Sequence, residues 1–229
     1  MAEATISQSQ QQAQEDVIYS GTINTTEQAI NELLVIVSTA FILQMQLGFA
    51  LLENGLVRSK NSKNILIKNL FDLCASGLAF WLVGFGWAFG HAGEENSNGV
   101  IGKNTTSLFG SADFDKQEKN FYLMWIFQFS FAASSATIVS GSLAERTQLP
   151  AYLAFSALMT GFIYPMVVGW CWGGGWLGDS SEFGKGFHDF AGSGLVHLVG
   201  GCAGFAGAYI IGPRHGKEKR PEDKKDVLD

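Results

Sequence analysis

Charge is scarce in this sequence. Of its 229 residues only 16% are Asp, Glu, Lys or Arg, well below the ~25% of an ordinary soluble domain. Proline is rarer still, with 4 in the chain. The three cysteines, Cys74, Cys171 and Cys202, lie in or beside apolar segments with no CxxC spacing and no His/Asp cluster nearby. That pattern argues against a metal site or a redox pair and leaves small buried hydrophobes as the reading. Residues 1–28 contain no Lys or Arg, so they offer neither the basic start of a signal peptide nor an Arg-rich transit sequence, and the first apolar segment is expected to direct insertion. No catalytic constellation, phosphate loop after a strand or metal-ligand cluster is present, which argues against an enzyme and against a cofactor. The net charge of -6 is unevenly spread and points to no nucleic-acid partner.

What is abundant is apolar: 47% hydrophobic residues, with Gly 28 and Phe 18. These collect into long runs separated by short polar stretches, the pattern of membrane-spanning helices. At about 20 residues per span the expected fold is an all-α integral membrane bundle of about five helices, near 30–53, 65–90, 120–143, 150–171 and 190–212. Residues 1–29 would be a polar extracellular tail and 213–229 a charged cytosolic one. Polar insertions in the spans, Gln44, Gln46 and Asp72 among them, are expected to face protein rather than lipid.

The connections differ in basic charge. One side collects Arg58, Lys60, Lys63 and Lys68 in loop one, Arg146 in loop three, and Arg214, Lys217, Lys219, Arg220, Lys224 and Lys225 in the tail; the other has only Lys103, Lys116, Lys119 and Lys185. Positive charge stays on the cytosolic side, so the N-terminus is expected outside and the C-terminus inside. Two glycosylation sequons, at Asn24 and Asn104, fall on the expected exterior, Asn104 with the better prospect because Asn24 lies close to the membrane.

A few side chains in the spans ask for an explanation. His197 lies near the middle of the fifth apolar segment, about 12 Å along a helix from Asp189. Charged, it would cost several kcal/mol in hydrocarbon, so a neutral imidazole facing a cavity or a neighbouring helix is expected. Gly200, Gly201 and Gly204 share its face at helical spacing and either admit another helix or leave room for a path. Asp189 stands where this helix begins, suited to capping it and to drawing cations toward the outer mouth. Trp170, Trp172 and Trp176 flank a Gly run; such indoles form an interfacial belt or bind cations at roughly 0.5–2 kcal/mol. Phe127 and Phe131, four residues apart, share one helix face, as packing or as a gate.

The order of these residues is similar to that of the ammonium transporter superfamily. The resemblance rests on Gln46 to Glu53, Val57 to Asn61, Asn64 to Leu66, Lys68-Asn69, Phe127 to Ala132, Ala144 to Arg146, Trp172 to Gly175 and Asp189 to His197, and covers roughly residues 30–216. It implies that Trp172 binds ammonium with Phe127 and Phe131 beside it, that Phe131 is also the outer ring of a gate, that His197 is the first pore histidine and that Asp189 supports the recruitment site. The retained Trp172 favours the ammonium branch over the Rhesus-like one. The mechanism implied separates proton from ammonia at the ring gate.

The family fold has eleven helices in two inverted five-helix repeats plus a last helix, and this chain corresponds to one repeat. On that basis the chain is expected not to close a conduction path by itself. Two expectations follow. It is part of an ammonium transporter, a homotrimer at full length or completed by a partner chain supplying the second repeat; or it is a non-conducting structural remnant within a membrane assembly. The plasma membrane is the expected location, with an organellar membrane as the alternative.

Overall fold

The computed structural model describes residues 8–90, 121–178 and 187–214; Asn104, Lys103, Lys116, Lys119, Lys185 and the tail beyond Arg214 lie outside them. Every regular element among the described residues is helical. Five helical stretches are long and apolar enough to cross a bilayer: Asn24–Leu56, Ser59–Phe89, Phe121–Leu143, Leu149–Cys171 and Ser193–Ile211. The first belongs to a longer helix, α1 (Gln8–Leu56), so residues 8–29 are helix and Asn24 sits within it.

Three of the spans contain a π-helical segment, two of them as an interruption and one at its start. Span two runs through α2 (Ser62–Ala79), a π turn at Phe80–Gly84 and α3 (Phe85–Phe89). Span three is α4 (Phe121–Leu143) without a break. Span four comprises α5 (Leu149–Leu158), a π turn at Met159–Ile163 and α6 (Tyr164–Cys171), with Pro165 in the first turn of α6. Proline lacks the N–H that an unbroken ladder needs, and the preceding π turn absorbs that loss. Span five opens with a π turn, Ser193–Leu198, and continues as α7 (Val199–Ile211).

α4 runs through the middle of the bundle, packed against α1, α2 and α7. Of its apolar window 61% is buried, against 11% for span one. Its residues explain the position. Ala132, Ala133, Ser134, Ser135, Ala136, Thr137 and Ser140 are all buried, and a run of small side chains lets neighbouring backbones come close where lipid supplies no hydrophobic drive between helices. The fifth span answers with glycine: a Cβ on Gly200 would lie 2.9 Å from the Ser135 carbonyl oxygen, and one on Gly204 would lie 3.0 Å from Ser142 Oγ. Phe80, Ala132, Tyr164, Val168, Leu195 and Val196 form the larger apolar core, with Phe129 and Trp125 packed on it.

Three expectations from the sequence are corrected. Lys68 is not a loop charge but a residue of α2, 8% exposed, because Glu53 at 3.6 Å offsets its ammonium. Gln44 is exposed rather than turned to protein; Gln46, two residues on, faces Thr137 instead, since neighbours two apart point to different sides of a helix. Cys74 and Cys202 are exposed on outer helix faces and only Cys171 is partly buried, an arrangement a hydrocarbon solvent tolerates. The Gly stripe does both things that the sequence allowed: Gly200 and Gly204 are packing contacts, whereas a Cβ on Gly201 would meet nothing within 4 Å.

Candidate functional site

The site grows from a strained turn. Before span five the chain passes through Ala191 (φ 54) and Gly192 (φ 83), a left-handed pair that glycine accepts readily and alanine does not. The Asp189 carboxylate holds it in place: Oδ1 accepts from the Gly192 N–H at 2.6 Å, and Oδ2 from the N–H groups of Gly194 at 2.7 Å and Leu195 at 3.0 Å. These donors stand at the start of a helix, where no backbone carbonyl is available to them, and a carboxylate there is favoured by both hydrogen bonds and the helix dipole. The turn also has to be small. A Cβ on Gly192 would crowd Val196 at 2.7 Å and touch the Phe131 ring at 3.6 Å, so Asp189 sets how close span five comes to the aromatic side of α4.

On α4 the Phe127 and Phe131 rings meet edge to face, 5.1 Å between centroids at 77°. Phe131 in turn meets Trp172, just past the end of α6, at 5.4 Å and 65°. The other two indoles of that segment do something else: Trp170 and Trp176 pair with each other at 5.8 Å. Phe127, Phe131 and His197 line one cavity of about 300 Å³, closed by Ser38, Ile42 and Met45 of α1 and by Ser134, Ala191 and Val196. His197 sits on the last turn of the π segment and is exposed in this chain; among the described residues its imidazole has no hydrogen-bonded partner. A neutral imidazole offers one donor and one acceptor, and both remain available to a small solute.

The structure thus joins Trp172, Phe131 and Phe127 in one chain of ring contacts, sets His197 in the cavity that Phe127 and Phe131 line, and leaves Asp189 bonded to backbone rather than lining that cavity. Beside the cavity the Phe131 and Trp172 rings present phenyl and indole faces, which attract cations more strongly as water is removed.

With this geometry in view, the similarity to known proteins is informative. Residues 33–227 match the Ammonium Transporter Family. The chain belongs to that family. It is 45% identical to tomato (Solanum lycopersicum) ammonium transporter 1 member 3 over 193 residues, which is 82% of this chain and 40% of that protein. It is 44% identical to ammonium transporter Amt2 of Archaeoglobus fulgidus over 183 residues, 77% of this chain and 37% of the relative. Among solved structures it superposes on a sensor Amt protein with a TM-score of 0.70 at 36% identity, covering 80% of this chain and 44% of that one. The chain therefore spans about two fifths of the length of the curated relatives it matches. It is an integral membrane protein of the ammonium transporter family, and the tomato and Archaeoglobus relatives are transporters by name.

A second polar assembly lies away from this cavity and was not foreseen from the sequence. Glu53 of α1 accepts from Asn69 Nδ2 at 3.0 Å and Ser140 Oγ at 2.8 Å, and faces Lys68 at 3.6 Å. Asp72, 1% exposed, accepts from Thr137 Oγ1 at 2.8 Å and from Ser156 Oγ, which Ser76 Oγ approaches at 2.9 Å. The sequence did carry one hint, a carboxylate within an apolar run. Nothing in it named the partners, which come from three different helices.

Proposed function

We propose that this chain supplies one wall of an ammonium-conducting path. Trp172, Phe127 and Phe131 recruit the cation, with Asp189 fixing the turn that positions them and adding negative potential behind. Phe131 then acts as the outer ring of a gate, and His197 receives ammonia beyond it. The observation that carries this reading is that Phe131 touches both Trp172 and Phe127 while sharing a cavity with His197.

Charge alone would not pick out ammonium. It carries potassium's charge at a similar size, so a ring of carboxylates would take either. Indole contact, directed hydrogen bonds and a constriction that strips water favour the ion that can donate N–H and give up a proton. An uncharged imidazole suits the far side, because it can exchange a hydrogen bond with neutral ammonia without asking a full charge to cross hydrocarbon.

The remaining walls are expected from a second repeat, in a homotrimer of complete molecules or on a partner chain. Arg58, Lys60, Lys63, Arg146 and Arg214 lie at one end of the bundle, favouring an outside N-terminus in the plasma membrane. Glycosylation at Asn104 tests that orientation; a cytosolic position for Asn104 reverses it.

Transport is tested in cells lacking their own ammonium uptake. Growth on low ammonium is expected from the chain co-expressed with the second repeat of a relative, and loss of that growth from Trp172→Ala or His197→Ala. Absence of growth under every pairing would leave the alternative, a non-conducting member of a membrane assembly.

A further inference from the structure

The wall that α1 gives to the aromatic cavity comes from one helix face. Ser38, Ile42 and Met45 line it at intervals of four and three residues, the spacing of side chains on one side of a helix. Two of the three are apolar, as a packed bundle in lipid favours. The third ends in a hydroxyl.

A serine or threonine inside a helix commonly closes its hydroxyl on the carbonyl one turn back, and the spans of this bundle do so repeatedly. Thr39 Oγ1 donates to the Val35 carbonyl at 2.7 Å, Ser134 Oγ to the Ser130 carbonyl at 2.9 Å and Thr160 Oγ1 to the Ser156 carbonyl at 2.9 Å. Ser140 and Ser156 instead give theirs to the carboxylates of Glu53 and Asp72. Ser38 does neither. It is half-buried, and its hydroxyl makes no hydrogen bond among the described residues.

An unpaired hydroxyl is unfavourable away from water, and this one lines the same cavity as the unpaired imidazole of His197. Ser134 lines it too, but its hydroxyl hydrogen is already committed. We propose that Ser38 is a direct ligand of the conducted solute: its oxygen accepts an N–H of ammonium or ammonia, while His197 engages the same solute from the fifth span. This rests on the conducting role given above and adds to it a polar contact from α1, a helix which that role did not use. Phenyl, aliphatic and thioether walls hold a small nitrogenous solute without fixing its direction. A hydroxyl oxygen and an imidazole nitrogen on separate helices set the orientation of its N–H groups.

Threonine and valine have nearly the same shape and both branch at Cβ, but only threonine keeps a hydroxyl, so Ser38→Thr and Ser38→Val separate the hydrogen bond from the space. In cells lacking their own ammonium uptake, with each variant co-expressed with the second repeat of a relative, uptake of isotopically labelled ammonium is measured against its concentration. Ser38→Val is expected to raise the half-saturating concentration about fivefold, and Ser38→Thr to stay within about twofold of the unaltered chain. Equal half-saturation for the two variants overturns the ligand role of Ser38, while uptake by the unaltered chain leaves the conducting reading standing. Where no pairing gives uptake, a titration decides. The complete 229-residue chain, labelled with ¹⁵N-histidine in detergent, is titrated with ammonium chloride, and the His197 ring signals are identified by their absence from His197→Ala. A response that Ser38→Val weakens about fivefold and Ser38→Thr retains upholds the site even though the conducting reading has failed. No response at His197, or the same response in both variants, overturns it.

Discussion

Two polar regions of this bundle use their side chains in opposite ways. Around Glu53, Lys68 and Asp72, carboxylates, an ammonium and hydroxyls from four helical segments are bonded to one another, at 0–8% exposure. Around His197 the walls are mostly phenyl and aliphatic, with Met45 and the small Ser38 and Ser134, and the imidazole is left without a partner among the described residues. The first region spends its polar groups on holding α1, α2, α4 and α5 together; the second keeps one in reserve. A membrane interior makes that contrast sharp, because an unpaired polar group there is expensive unless something fills its need.

The contrast can be broken most forcefully at Asp72. Asp72→Ala leaves the Thr137 and Ser156 hydroxyls without their acceptor and should cost about 3 kcal/mol or more, read as a large drop in thermal unfolding temperature in detergent. An unchanged temperature would show that the charged region does not hold the helices. The opposite signature is expected at the other region. His197→Ala should unfold at the temperature of the unaltered chain while abolishing complemented uptake, and Trp172→Ala should weaken uptake by the few-fold to thirtyfold that about 0.5–2 kcal/mol of cation–π contact represents. A loss of stability at His197 that matched that at Asp72 would erase the distinction.

Glycines offer a finer test. Gly200→Ala places a methyl against the Ser135 carbonyl and Ile138 and should destabilise by about 1–3 kcal/mol, whereas Gly201→Ala, one residue on and open to space, should leave unfolding unaltered. Equal effects at both positions would mean that the two faces of α7 are not different surfaces.

The smallest effect is expected at Glu145, outside the spans. Burial acts to raise its carboxyl pKa, but hydrogen bonds from Asn61 and from the Arg58 backbone and guanidinium, together with the Arg214 charge, outweigh it and hold the group below the ordinary value near 4.5. A depressed carboxyl stabilises the fold above its unfolded pKa and loses that contribution as pH falls through the folded one. The unfolding temperature of Glu145→Gln should therefore lie slightly below that of the unaltered chain at pH 7, and the gap should close as pH drops below about 4. A gap independent of pH would show that the charge at Glu145 contributes nothing.

Much of the fold was legible because the lipid phase imposes it. Without water to satisfy a backbone, a long apolar run has to be helical, so five such runs were enough to announce five helices. His197, Trp172 and the two phenylalanines were legible as residues needing an explanation, and the family resemblance supplied roles for them. Lys68 and Gln44 were misread for a common reason: a charge or amide in sequence does not say which side of a helix it is on, nor what stands opposite.

The sequence by itself determined the number of spanning helices, the kinship to ammonium transporters and the residue types available for a cation and an imidazole. Only the tertiary structure decided that Phe131 meets Trp172 and shares a cavity with His197, that Asp189 serves through backbone N–H groups, and that Glu53 and Asp72 are bonded into the bundle. The physical reason is range. Hydropathy and helical period act along the chain within a few turns, whereas which polar group is satisfied and which is left open depends on atoms brought together from helices 65 to 87 residues apart.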